Sequence, residues 1–148
     1  SFACSEYNAL HAFALVGAGD ERTWGRYGWR PAAGVEQLSE EETEAADRGY
    51  LQAEIRERLA EGPVRFTLEF TVASEDDPLD DPTDPWEGDR EKVALGELEI
   101  ASVIEDAEAD GPIVFDPMRL ADGIEPSDDQ ILAIRPVAYS ISIKRRAG

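Results

Sequence analysis

Between Val64 and Val72 apolar and polar residues alternate strictly, with Val64, Phe66, Leu68, Phe70 and Val72 against Arg65, Thr67, Glu69 and Thr71. Successive side chains of an extended chain point to opposite sides, so this stretch predicts a strand with one apolar face. Asn8 to Val16 is largely apolar in both registers, which predicts a strand covered on both sides. Gly17-Ala-Gly-Asp20 supplies turn chemistry after it, and Thr23 to Trp29, rich in aromatics and arginine, completes a predicted hairpin that Pro31 to Gly34 stops. Lys92 to Val103 is again strand-like, Gly111-Pro112 breaks it, and Ile113-Val-Phe115 begins the last segment.

Period two gives way to helical spacing in two places. Ser39-Glu-Glu-Glu42 has the form of a capping box, and Leu51, Ile55 and Leu59 recur behind it at four-residue spacing, which predicts one amphipathic helix. Arg56 and Arg58 complement its dipole in the last turns, and Gly62-Pro63 ends it. Ser127-Asp-Asp-Gln130 is a second capping-box pattern, followed at helical spacing by Ile131, Leu132 and Arg135. Past Pro136 two readings stay open. Val137, Tyr139, Ile141 and Ile143 alternate as in a strand, whereas Arg135 and Tyr139 would share one face of a continued helix. The sum is an α+β fold, an antiparallel sheet with a helix after the first hairpin and a C-terminal element, read as a single domain over residues 1–148.

Charge narrows the chemistry. The 148 residues carry a net charge of -19, which repels phosphate backbones and anionic lipid, so neither nucleic acid nor membrane is an expected partner. No apolar run reaches the roughly 18 residues of a bilayer span and no signal pattern opens the chain, so a cytoplasmic location is expected. Ser1-Phe2-Ala3-Cys4 lacks an initiator methionine, as in a sequence that begins mid-protein. Cys4, the single cysteine, cannot form an internal disulfide or a cysteine metal cluster and reads as a buried thiol. Gly17-Ala-Gly19 lacks the third glycine of a dinucleotide fingerprint, since position 22 is Arg. Glu75 to Pro85 packs six acidic residues and three prolines into eleven positions without the ligand spacing of a calcium loop, and reads as a solvated surface loop. His11, the only histidine, has no sequence-adjacent acid or second histidine and reads as a packed side chain.

One run carries a more specific signal. Phe115-Asp-Pro-Met-Arg-Leu-Ala-Asp-Gly-Ile-Glu-Pro-Ser127, followed by Asp129, Leu132, Arg135 and Tyr139, resembles the proximal heme segment of catalases without a gap. Gly34-Val, Leu38-Ser39, Leu59-Ala-Glu-Gly-Pro-Val-Arg-Phe66, Asp81-Pro-Thr83-Asp-Pro-Trp86 and Gly96-Glu-Leu98 extend the resemblance toward small catalase-related proteins.

That resemblance implies heme b as cofactor, with Tyr139 as iron ligand, Arg135 favouring its phenolate form and Arg146 on a heme propionate. A phenolate donates charge to ferric iron and leaves the opposite face open for peroxide. Tyrosine ordinarily titrates at about 10, and a guanidinium one helical turn away supplies the positive charge that favours ionisation. The implied activity is decomposition of hydrogen peroxide or an organic hydroperoxide. The family's distal histidine and asparagine lie in the half of the core that precedes the position of Ser1, and Ile143 stands where classical catalases carry a histidine. The chain thus resembles the second half of an eight-stranded antiparallel barrel, inactive alone, for which the resemblance implies four strands, a helix after the first hairpin and a C-terminal helix, and a half barrel with open edges implies a homo-oligomer or a missing N-terminal half. The alternative reading is a heme-free structural or oligomerisation module.

Overall fold

The computed structural model describes residues 1–104 and 115–146. Its elements are β1 (Tyr7–Asn8), β2 (Phe13–Val16), β3 (Arg22–Pro31), α1 (Glu40–Ala45), α2 (Tyr50–Glu61), β4 (Val64–Val72), β5 (Lys92–Ile100), β6 (Ile124–Pro126) and α3 (Gln130–Arg146), with a 3-10 turn at Phe2–Cys4 before them. The strands form one sheet in the order β5-β4-β3-β2-β6, with β1 also paired to β3. β2 runs antiparallel to both β3 and β6, and β1 antiparallel to β3. Among the described residues β5 and β6 are the ends of that order, and the sheet is not closed.

The strictly alternating stretch is β4 over its whole predicted length, and β5 stops at Ile100 rather than Val103. The predicted strand from Asn8 to Val16 is instead two short strands. Between the pairs Asn8–Gly28 and Phe13–Gly25 the chain takes five steps while β3 takes three, so the extra residues bulge out of the ladder. The Gly111-Pro112 break and the first two residues of the Ile113 segment lie outside the described residues. The predicted single helix is also two. Ser39 and Glu42 do form the reciprocal capping box, but it opens the short α1, in which no residue is buried. Asp47 then turns the chain, its carboxylate accepting from the Gly49 amide at 2.6 Å, and α2 starts afresh at Tyr50.

The chain divides into two compact units, and β3, β4 and β5 each lend residues to both. One unit comprises Ser1–Asn8, Gly28–Glu69 and residues 94–104. Its core is Ala3, Cys4, Val64 and Phe66, against which Trp29, Ile55, Leu59 and Ile100 pack. The apolar face of β4 and two of the three α2 leucine and isoleucine positions thus meet as their spacing predicts. Arg30 to Glu69 and Arg65 to Glu99 cross-link its strands on the charged side.

The other unit comprises Ala9–Tyr27, Phe70–Val93 and, of the described residues, 115–146. Phe13, Ala12, Ala14, Phe70 and Leu132 are its buried apolar side chains. Gly25 is required here by space, because a Cβ would lie 2.3 Å from the Phe70 ring and 2.5 Å from the Thr71 carbonyl oxygen. The acidic loop is ordered rather than merely solvated. Arg26 donates to the carbonyls of Asp84 and Asp81 at 3.0 and 3.1 Å and stacks 4.2 Å from the Trp86 ring, while Arg90 grips Asp77 through two nitrogens.

Candidate functional site

The strand β6 is what brings the last helix to the sheet. Ile124, Glu125 and Pro126 pair with Leu15, Ala14 and Phe13 of β2, and the Ser127 amide continues the contact by donating to the Ala12 carbonyl at 3.3 Å. Gly123, at φ +83°, takes the left-handed turn into that strand, and its carbonyl accepts from the Val16 amide at 2.8 Å. Three residues after Pro126, Asp129 lies buried beside the bulge that carries His11.

Asp129 uses its two oxygens for different tasks. Oδ1 accepts from the Ile131 and Leu132 amides at 2.7 and 3.2 Å, which caps α3. The cap is therefore Asp129 and not Ser127 of the predicted capping box. The Ser127 hydroxyl is buried with no hydrogen-bond partner among the described residues. Oδ2 lies 2.6 Å from Nδ1 of His11. On its other side His11 Nε2 is 2.7 Å from Nη1 of Arg135, and Arg135 reaches the Tyr139 hydroxyl with Nε at 3.1 Å and Nη2 at 2.5 Å.

Donor chemistry assigns the protons along this chain. Guanidinium has no acceptor, so Nε2 of His11 accepts, and the ring proton of a neutral His11 sits on Nδ1 and is donated to Asp129. Burial by itself raises Asp129, but the hydrogen bond from His11 and those from the two capping amides outweigh it, holding the carboxyl below the usual carboxylate range. The result is an ordered line, Asp129 to His11 to Arg135 to Tyr139, that begins at a helix cap and ends on a phenol oxygen.

Arg135 and Tyr139 meet because α3 stays helical past Pro136, through Arg146. The proline forfeits one backbone donor and ordinarily costs a helix about 3 kcal/mol. Offsetting that are the Asp129 cap, the fully buried Leu132 anchoring the first turn and the Arg135–Tyr139 tie at i, i+4. The strand-like alternation after Pro136 is thus overridden by contacts that period two does not register.

Of the three site residues read from sequence, the structure joins Arg135 and Tyr139, while Arg146 closes α3 and its side chain lies outside the described residues. Two members of the line, His11 and Asp129, were not read as site residues. His11 is packed, as expected of it, but packed against charge. Its partners lie 118 and 124 positions away, beyond the reach of local patterns, although Asp129 stands inside the run that carries the family resemblance. Among the described residues no group of three or more histidine, cysteine, aspartate or glutamate side chains could hold a metal ion, and no helix is long and apolar enough to cross a membrane.

The whole chain, residues 1–148, matches the family model described as Catalase. It is 40% identical over 149 residues to a catalase-related peroxidase of Mycolicibacterium paratuberculosis, covering 47% of that protein. It is 33% identical over 148 residues to a catalase-related peroxidase of Synechococcus elongatus, covering 43% of it. The chain therefore spans about half the length of these relatives. A fungal catalase superposes on 97% of the chain with a TM-score of 0.85 at 20% identity, and catalase A from Saccharomyces cerevisiae on all of it at 0.84 and 17%, each match taking in about a third of the longer protein.

Proposed function

Since the chain belongs to the catalase family, we propose that it supplies the proximal side of a heme-dependent peroxide-decomposing enzyme, with Tyr139 as the iron ligand. The observation that carries this is the line of hydrogen bonds ending on the Tyr139 oxygen. A phenol oxygen that already accepts two hydrogen bonds from a permanent cation suits coordination to a ferric ion as phenolate, because the cation compensates the charge left when the proton goes. The donor set fits the group on that ground. Tyr139 would hold the heme iron, and the heme would supply the redox chemistry for peroxide.

The work of the protein's own residues is electrostatic and positional. Arg135 holds the Tyr139 oxygen in place and stabilises negative charge on it. His11, locked in its Nδ1–H tautomer by Asp129, presents a lone pair that fixes the guanidinium. Asp129 ties that orientation to the start of α3. Arg146, the last residue of α3, we assign to a heme propionate, for which a guanidinium has the matching fork. Peroxide activation itself would need an acid–base group, which we assign to the portion of the relatives that this chain does not span. General acid–base help of that sort is worth about 10²- to 10⁴-fold. The same portion, or a second copy, is the proposed cover for the open sheet end at β5, where Val93, Leu95 and Leu98 are exposed.

Hemin titration followed by absorbance tests the assignment. The expected result is a saturable band for the unsubstituted chain whose position changes in Tyr139→Phe. No bound-heme band, or one identical in the variant, contradicts it.

A further inference from the structure

The tautomer imposed on His11 makes the line of hydrogen bonds sensitive to one proton. Neutral His11 has a single acceptor, Nε2, and Arg135 uses it. A proton arriving there removes the acceptor and sets an imidazolium against a guanidinium. His11 is only 6% exposed, so water screens that repulsion poorly. On the opposite side Asp129 gains from the same proton, since its carboxylate sits 2.6 Å from Nδ1. The charged groups about His11 are thus Asp129 and Arg135 of α3, with Arg26 of β3 near enough to Asp129 to feel its charge, and Tyr139 beyond Arg135.

Which partner yields follows from how each is held. Asp129 is 1% exposed and bound to two backbone amides, and its departure would uncap the helix. Arg135 is half-buried on a flexible stem, and among the described residues its guanidinium is held by the side chains of His11 and Tyr139. We propose that His11 is an acid-operated switch on the Arg135–Tyr139 pair: protonation at Nε2 keeps His11 on Asp129 and drives the guanidinium away, taking its hydrogen bonds off the Tyr139 oxygen. This concerns the protein's own side chains and holds whether or not Tyr139 carries iron, so it and the heme assignment fail separately.

Because His11 is the only histidine, imidazole 15N resonances report it without ambiguity. The experiment is an NMR titration of the full chain from about pH 8 to about pH 5, the span in which histidine charge ordinarily changes, following both ring nitrogens and the ring carbon bearing the Tyr139 hydroxyl. At the alkaline end Nδ1 is expected protonated and Nε2 bare. On acidification Nε2 loses its unprotonated signal and the Tyr139 carbon shifts with the same midpoint. His11→Gln, whose amide can accept from Arg135 and donate to Asp129 without titrating, is expected to abolish the Tyr139 shift over this range. An Nε2–H tautomer at the alkaline end, or a Tyr139 signal that does not follow His11, overturns the proposal, as does a glutamine variant that titrates like the unsubstituted protein. If that variant does not fold, the coincidence of the two midpoints in the unsubstituted chain decides.

Discussion

Arg26 and Arg135 are both half-buried arginines of the same compact unit, yet they spend their donors differently. Arg26 gives two to the main-chain carbonyls of Asp81 and Asp84, leaves Nε buried with no partner among the described residues, and lies over the Trp86 ring. Among the described residues Arg135 bonds to side chains that carry an exchangeable proton, His11 and Tyr139. Carbonyls and an indole face do not titrate, so the first arginine is a fixed anchor for an acidic loop. The second joins two side chains that carry exchangeable protons, His11 and Tyr139. Burial and charge alone do not separate the two; what the guanidinium touches does.

That contrast can be broken from either side. The largest effect is expected for Asp129→Ala, which removes a helix cap and the acceptor that the Nδ1 of His11 meets. Losing about 2–4 kcal/mol in urea unfolding follows from the cap and the charged buried hydrogen bond together, with the loop around Arg26 still protected from protease. Arg26→Ala, next, is expected to cost roughly 1–2 kcal/mol and to make residues 74–90 susceptible to limited proteolysis, while the His11 nitrogen signals stay in place. Acid tests both regions at once. Asp77 is held below its ordinary range by the Arg90 hydrogen bond, with burial opposing and the Ser74 amide assisting, and Asp129 is also lowered. Both carboxyls bind protons more weakly folded than unfolded, where Asp titrates at about 3.9. Their contribution is therefore complete above that value and is lost as pH falls through the folded one. Asp77→Asn and Asp129→Asn should each flatten the acid limb of stability. The smallest stability change, under about 1 kcal/mol, is expected for Tyr139→Phe in thermal unfolding, since the half-buried phenol oxygen can be replaced by water on Arg135.

The sequence announced these two regions unequally. Strand β4 and the capping box at Ser39 were legible because each is specified by residues within a few positions of one another. The α1–α2 break was not, because the Asp47–Gly49 turn that makes it is a single side-chain bond inside an apparently continuous helical spacing. The acidic loop read as solvated because its organiser, Arg26, stands more than fifty residues earlier. Likewise Tyr139 and Arg135 were legible from the family resemblance, whereas His11 read as a packed side chain. A bulge re-aims His11, and both of its partners come from the far end of the chain. Local periodicity left strand and helix both open at Tyr139, and the structure makes it a helix, held by the Asp129 cap, the buried Leu132 and the i, i+4 tie.

The most direct test of the central claim is resonance Raman spectroscopy of the hemin-loaded chain. The account predicts iron–phenolate vibrational bands that vanish in Tyr139→Phe and survive Arg26→Ala. Bands absent from the loaded protein, or unchanged by the loss of the Tyr139 hydroxyl, would contradict it.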